Sequence, residues 1–275
     1  MQSKHRMSIA MVAALIVTLM APGGAGAVSY PRTMAGTGDS ITTAYNTGTF
    51  PYVDNPAGSW STGWDTRVVS HRQRLQALVP SGQLTAYNDA RSGARMTHLA
   101  AQMRAAVSQK AQYVTVLMGA NDVCTSSEAT MTSVADFTAQ FTTAMDTITT
   151  GMPNATVYVV SIPNIYHLWE VYKDSWLARA VWNTARICQS MLANPASTLQ
   201  ADVDRRARVS QRNAEFNAVL EAICAAYRQC RFDGYAVFNT VFARSDVTSR
   251  DYFHPSVSGQ AKLAAGTWAA GPWGP

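Results

Sequence analysis

Charged residues are scarce in this chain of 275 residues: they make up 14% of it, against 47% apolar residues. That balance excludes a disordered chain, which needs the opposite mixture. Lysine is scarcer still, four residues beside 18 arginines, and the formal net charge of +5 is spread along the sequence. With no basic arm, nucleic acid is not an expected partner. Beyond one N-terminal run, apolar stretches approaching the length of a membrane span are missing, which excludes a multi-pass membrane protein. The four cysteines, Cys124, Cys188, Cys224 and Cys230, include no CxxC pair and no histidine lies near them in sequence. A zinc knuckle is therefore not expected, nor any other bound metal. Repeats, low-complexity tracts and linkers are absent from residues 28–275, so one domain is expected there. A chain of this size buries roughly three quarters of its unfolded surface, enough for a core without metal or disulfide support.

Lys4 and Arg6 precede an uncharged run of 14 residues, 7–20, which ends before Pro22, Gly23, Gly24 and the small residues Ala25, Gly26 and Ala27. This is the layout of a secretory signal peptide over 1–27, with cleavage expected after Ala27, because the run is shorter than the ~20 residues of a membrane span. The expected product is a secreted, soluble monomer formed by 28–275. In an oxidising compartment four cysteines imply two disulfides, with three possible pairings. The expected pairs are Cys124–Cys188, tying the loop after Asn121 to a helix after Trp182, and Cys224–Cys230, closing a short loop at a helix end.

Residues 112–118 and 155–161 are short, β-branched and bounded by Gly119 and Pro163, so both read as buried strands. Between them Val134, Phe137, Phe141, Met145 and Ile148 recur at spacings of 3, 4, 4 and 3, one face of a helix with Ser133 as its N-cap and Gly151 as its stop. A strand at 84–88 precedes a helix with Met96, Leu99, Ala100, Met103 and Val107 on one face. Val209, Phe216, Leu220, Ile223 and Tyr227 mark another helix, and 257–268 a last one. Residues 33–37 have weak strand propensity and are assigned as the first strand because the Gly38-Asp39-Ser40 block after them needs a strand end. Strands alternating with helices predict an α/β layer fold with a largely parallel sheet.

In such folds the site forms beyond the carboxyl ends of the strands. Those positions hold Gly38-Asp39-Ser40-Ile41, then 88–93 ending in Gly93, then Gly119-Ala120-Asn121-Asp122, and near the C-terminus Asp251-Tyr252-Phe253-His254. A serine hydroxyl needs an imidazole to take its proton, and the imidazole needs a carboxylate to fix its tautomer. Ser40, His254 and Asp251 are of these types. The oxyanion formed by serine attack needs donors, which the Ser40 N–H, the Gly93 N–H and the Asn121 amide can supply.

These four ordered blocks resemble the SGNH hydrolases, also called the GDSL esterase/lipase family, over essentially all of 28–275. The resemblance implies a flavodoxin-like three-layer α/β/α sandwich with a central, mainly parallel sheet, and cofactor-free ester hydrolysis through an acyl-serine. It makes Ser40 the nucleophile and first oxyanion donor, Gly93 the second and Asn121 the third, His254 the base and Asp251 its orienter. Ile41 stands where the family usually has leucine, a core-facing exchange. The cysteine after the third block, Cys124, resembles the phospholipase B-like branch. The serine lies early and the Asp/His pair late, the reverse of trypsin-like proteases, and no GxSxG elbow of an α/β-hydrolase exists.

His71, His98 and His167 read as core-satisfied or solvent-facing, Asp39 and Asp122 as turn holders, and Arg205, Arg206 and Arg208 as a solvated helix start. The sequon at Asn154 is given no function. Residues 165–182 carry apolar groups on more than one helical face, more than packing on one sheet requires. Trp169, Tyr172 and Trp176 are therefore acyl-pocket candidates, with a lipid or phospholipid ester as expected substrate and transient contact with a membrane interface. The alternatives are an acetylated carbohydrate, held in a groove lined by Trp60 and Trp64, and a non-catalytic surface-binding module.

Overall fold

The computed structural model describes residues 29–79 and 83–274. The expected signal peptide over 1–27 and its cleavage point after Ala27 lie outside the described residues. Five strands form one sheet in the order β2-β1-β3-β4-β5, every neighbouring pair parallel: β1 Thr33–Gly38, β2 Thr85–Asn88, β3 Tyr113–Leu117, β4 Thr156–Val159 and β5 Cys230–Phe232. The helices in chain order are α1 His71–Leu78, α2 Leu99–Ser108, α3 Ala120–Val123, α4 Val134–Gly151, α5 Ile165–Tyr172, α6 Trp176–Thr184, α7 Gln189–Leu192, α8 Gln200–Ala225 and α9 Val257–Ala269. The expected α/β sandwich with a parallel sheet is what forms.

The chain leaves β1 toward β2 on one side and returns to β3 on the other, so the connections after these strands diverge. Their carboxyl ends therefore border a crevice, the topological switch point of an open α/β sheet. Helices α2, α4 and α8 line up on one face of the sheet, with Phe137 of α4 stacked on Phe216 of α8 at 3.9 Å. Helices α1 and α9 meet on the other through His71, whose ring nitrogens bond the Tyr113 hydroxyl and Thr267 Oγ1, each at 2.8 Å. Burial holds His71 neutral, its pKa pushed down to about 3. Serines at 70, 133, 175 and 256 each accept a backbone N–H from the first turn of the next helix, which fixes where α1, α4, α6 and α9 begin.

Strand β1 lies in the sheet interior despite its glycines. Gly36 is small because residues 61 and 62 cross the strand closely: a Cβ there would lie 2.9 Å from Thr62 Cγ2 and 3.0 Å from Ser61 Oγ. At Gly38, φ is +143° and a Cβ would meet the Leu117 carbonyl oxygen at 2.3 Å. Close approach outranks propensity here. The aromatic segment 165–182 is broken at 173–175, where Ser175 caps α6, so it is two helices.

Both disulfides pair as expected, Cys124 with Cys188 and Cys224 with Cys230. Among the described residues no helix is long and apolar enough to cross a membrane.

Candidate active site

Ser40 sits in the turn that leaves β1. The Asp39 carbonyl accepts the N–H groups of Thr42 and Thr43, and its side-chain Oδ1 accepts the Ile41 N–H at 2.9 Å. Asp39 is wholly buried and its Oδ2 has no partner. Burial pushes its carboxyl up to about 7, against the opposing pull of the Ile41 N–H and nearby His254. Below the turn, Gln102 of α2 grips Gly38 from both sides, accepting its N–H at 2.7 Å and donating to its carbonyl at 2.9 Å.

The second block is bound to the first by Asn88, whose Nδ2 donates to the Thr42 carbonyl and to Thr62 Oγ1, both at 3.0 Å. Gly93 comes next with φ of +77° and nothing within 4 Å of a Cβ built there, so this position calls for glycine by conformation and not by crowding. Asn121, on the first turn of α3, spends one amide hydrogen on the Ala94 carbonyl at 2.9 Å, leaving the other available. Asp122 accepts the Met96 N–H at 2.9 Å and the Thr132 hydroxyl at 2.7 Å, so its side chain ties the third block to segments 26 and 10 residues away and not to its own turn. Neither the Ser40 N–H nor the Gly93 N–H has an acceptor among the described residues, and both residues face one groove with Asn121 and His254.

From the other end of the chain, His254 Nε2 lies 2.8 Å from Ser40 Oγ, and its Nδ1 lies 2.8 Å from Asp251 Oδ2. Burial alone would raise the Asp251 carboxyl. The hydrogen bond and charge of His254, with the N–H groups of His254 and Phe253, outweigh it and hold the carboxyl below its ordinary range. The residues singled out in four separate blocks thus converge. Hydroxyl, imidazole and carboxylate form one hydrogen-bonded line, with donors grouped beside the hydroxyl, and such a line can transfer an acyl group.

Two cavities open on Ser40. The inner cleft is narrow, about 50 Å³, and lies between α5 and residues 242–255; its walls include Ile165, Leu168, Val171, Phe242 and Val247. The outer groove is about 420 Å³ and is bordered by Tyr45, Tyr52, Gly93, Ile187 and the Cys124–Cys188 pair. The three acyl-pocket candidates line neither cavity. Trp169 is buried on the adjacent face of α5, with its indole N–H on the Pro195 carbonyl. Tyr172 is buried with its hydroxyl on the Arg244 carbonyl, and Trp176 is 70% exposed. The inner cleft takes positions 165, 168 and 171 of the same segment. Trp60 is fully buried and Trp64 borders neither cavity, so these two do not form a groove at Ser40.

Two of the three arginines differ from a solvated helix start. Arg205 donates to the carbonyls of Gln189, Ser190 and Ala193, and Arg206 is buried with its guanidinium 4.5 Å over Trp169. Arg205 thus holds the end of α7, and Arg206 donates to the Ser197 carbonyl in the segment that leads into α8. Arg208 is exposed and pairs with Glu128. His98 is exposed, while His167 borders the inner cleft and bonds the Phe242 carbonyl at 3.1 Å.

Sequence reasoning missed Tyr45, whose ring lies 4.9 Å from that of His254, and Asn46, whose amide donates to Asp251 Oδ2. No local signal marks either, since their partners lie more than 200 residues away. Among the described residues no group of three or more His, Cys, Asp or Glu could hold a metal ion.

No curated protein matches the sequence. Solved structures of similar fold include TesA (15% identity, 86% of this chain and 97% of that one, TM-score 0.52). An extracellular lipase from Streptomyces rimosus is similar at 18% identity, over 84% and 95% of the two chains, TM-score 0.50. A family 3 carbohydrate esterase from Clostridium thermocellum is similar at 17%, over 86% and 92%, TM-score 0.51. At these identities the likeness shows the fold. The GDSL-like lipase/acylhydrolase family matches residues 37–266, and on that match the chain belongs to this family of carboxylic ester hydrolases.

Proposed function

We propose that the chain is a secreted serine esterase acting on lipid acyl esters, with the acyl half in the inner cleft and the alcohol half in the outer groove. In this reading His254 Nε2 takes the Ser40 proton as Oγ attacks the ester carbonyl carbon. The N–H groups of Ser40 and Gly93 and the free amide hydrogen of Asn121 receive the oxyanion. Asp251 stabilises the imidazolium, which then returns its proton to the departing alcohol. Water, deprotonated by the same histidine, attacks the acyl-serine and releases the acid.

The observation that carries the substrate class is the inner cleft, whose aliphatic and aromatic walls begin at Ser40 itself. Among the described residues no lysine or arginine borders either cavity, which favours uncharged acyl esters over phospholipids. Phe50, Tyr52 and Val53, at 74%, 63% and 47% exposure on one loop at the rim of the outer groove, would touch a lipid interface transiently. The signal-like N-terminus and the two disulfides support secretion.

The test is kcat/KM across p-nitrophenyl acetate, butyrate, octanoate and palmitate. Each buried methylene is worth at most ~0.8 kcal/mol, so kcat/KM should rise by about one to two orders of magnitude beyond acetate before the cleft is full. A steady fall from acetate would favour an acetylated carbohydrate, for which the wider, tyrosine-bordered outer groove has room.

A further inference from the structure

We infer that Asn46 is a positioning residue for the Asp251–His254 pair and ties that pair to the exposed loop 47–53. The inference rests on the serine-esterase reading above. Asp251 is 5% exposed, so the lone pairs of its carboxylate must find donors within the protein. Oδ1 accepts the N–H groups of Phe253 at 2.8 Å and His254 at 2.9 Å. Oδ2 accepts His254 Nδ1 and the side-chain amide of Asn46. Among the described residues, Asn46 is thus the donor to Asp251 that comes from outside the turn 251–254.

The neighbours fix which way the Asn46 amide points. Its Oδ1 accepts the Tyr52 backbone N–H and its Nδ2 faces a carboxylate. A flipped amide would set donor against donor and acceptor against acceptor. The backbone of Asn46 is held as firmly: its N–H donates to the Val53 carbonyl at 3.0 Å and its carbonyl accepts from Arg250 at 3.1 Å. Its φ of +67° lies in the left-handed region, which asparagine tolerates better than most side chains. Arg250 donates further to the carbonyls of Thr49 and Phe50. Loop 47–53 is therefore fastened to the segment carrying acid and base twice, at Arg250 and, through Asn46, at the carboxylate.

An amide on Oδ2 stops the carboxylate from swinging away from His254 Nδ1. That keeps the Nδ1–H tautomer in place and leaves Nε2 to accept the Ser40 proton. The other ionisable groups facing the pair are Tyr45 against the His254 ring, Tyr52 and Asp54 on the loop side, Arg250 before Asp251, and Asp39 behind Ser40. Asn46 is neutral, so it acts by orientation and not by charge.

The test compares Asn46→Asp and Asn46→Ala with wild type on p-nitrophenyl butyrate. Asn46→Asp keeps the size and the acceptor for the Tyr52 N–H, so the loop stays closed, but it offers Asp251 a carboxylate in place of a donor. In both variants kcat should fall about 10- to 100-fold with KM within about twofold. The acid limb of the Asn46→Asp profile should also move to higher pH, because a second carboxylate favours imidazolium. Wild-type kcat and pH profile in Asn46→Asp would overturn the inference and leave Asn46 a loop-closing residue; should Asn46→Ala fail to fold, Asn46→Asp decides alone. A fluorophosphonate probe separates the two readings. No labelling of wild type at Ser40 sinks the esterase reading, whereas labelling there at equal rates in wild type and Asn46→Asp sinks only the role of Asn46.

Discussion

The two cavities that meet at Ser40 are built differently. The inner cleft is walled by one helix face and a C-terminal segment, and its surface is mainly apolar, with Leu168, Val171, Phe242 and Val247 among its walls. The outer groove is walled by loops, and it keeps its form through hydrogen bonds and a disulfide: Asn46 and Arg250 on one side, Cys124–Cys188 on the other. In the proposed esterase, one region discriminates chain length by packing. In that reading the other accepts varied alcohols while keeping acid, base and oxyanion donors in register.

The largest effect should come at the shared point. Ser40→Ala should lower kcat by about four orders of magnitude or more for every ester, with an unchanged circular dichroism spectrum. Substantial activity in that variant would dissolve the comparison, since neither cavity would then be the site. Asn121→Ala should lower kcat by roughly 10²- to 10³-fold for short and long esters alike, with a smaller change in KM, because an oxyanion donor acts on the transition state. A variant that only raises KM would make Asn121 a ground-state binder.

Val171→Trp sharpens the contrast. Filling the cleft should cut kcat/KM for the octanoyl ester about 10- to 100-fold and leave the acetyl ester within about twofold. Equal losses for both would place the acyl chain elsewhere. Asp39 is wholly buried and lines neither cavity, so Asp39→Asn should alter stability without altering chain-length preference. Between roughly pH 4 and its folded value of about 7, Asp39 holds a proton that the unfolded chain has released, so its contribution to stability falls as pH rises across that window. Asn removes that term, and the melting temperature of the variant should drop less than that of wild type between pH 4 and 7. Asp251 works in the opposite sense: its depressed carboxyl adds stability above the ordinary carboxylate range, lost as pH falls through the folded value. The smallest effect is expected for Trp176→Ala, whose side chain stands in solvent; a changed chain-length profile would show that α6 moves over the cleft.

Much of the molecule was readable in the sequence because it is local. The strand-helix periods of 112–161 and the four blocks each lie within a few residues, and the blocks alone placed β1, whose Gly36 and Gly38 give no strand signal. The features that stayed hidden depend on direction or distance. Residues 165–182 are so uniformly apolar that periodicity could not choose between the face carrying Leu168 and Val171 and the face carrying Trp169 and Tyr172. Strand β5 was missed because Cys230–Phe232 spans three residues, one of them an exposed arginine, and pairs only because β4 lies beside it. Asn46 looked like any polar loop residue, since its partner is 205 positions away.

The most direct test of the two-cavity site is the structure of the protein after inactivation by an octylphosphonofluoridate, whose phosphorus mimics the tetrahedral intermediate and whose alkyl chain stands for the acyl group. Phosphorus should be bonded to Ser40 Oγ, with its oxygen toward the Gly93 N–H and the Asn121 amide, and the octyl chain should lie between Leu168, Val171 and Phe242. A chain lying along Tyr45 and Tyr52 instead, or an adduct away from Ser40, would contradict that arrangement.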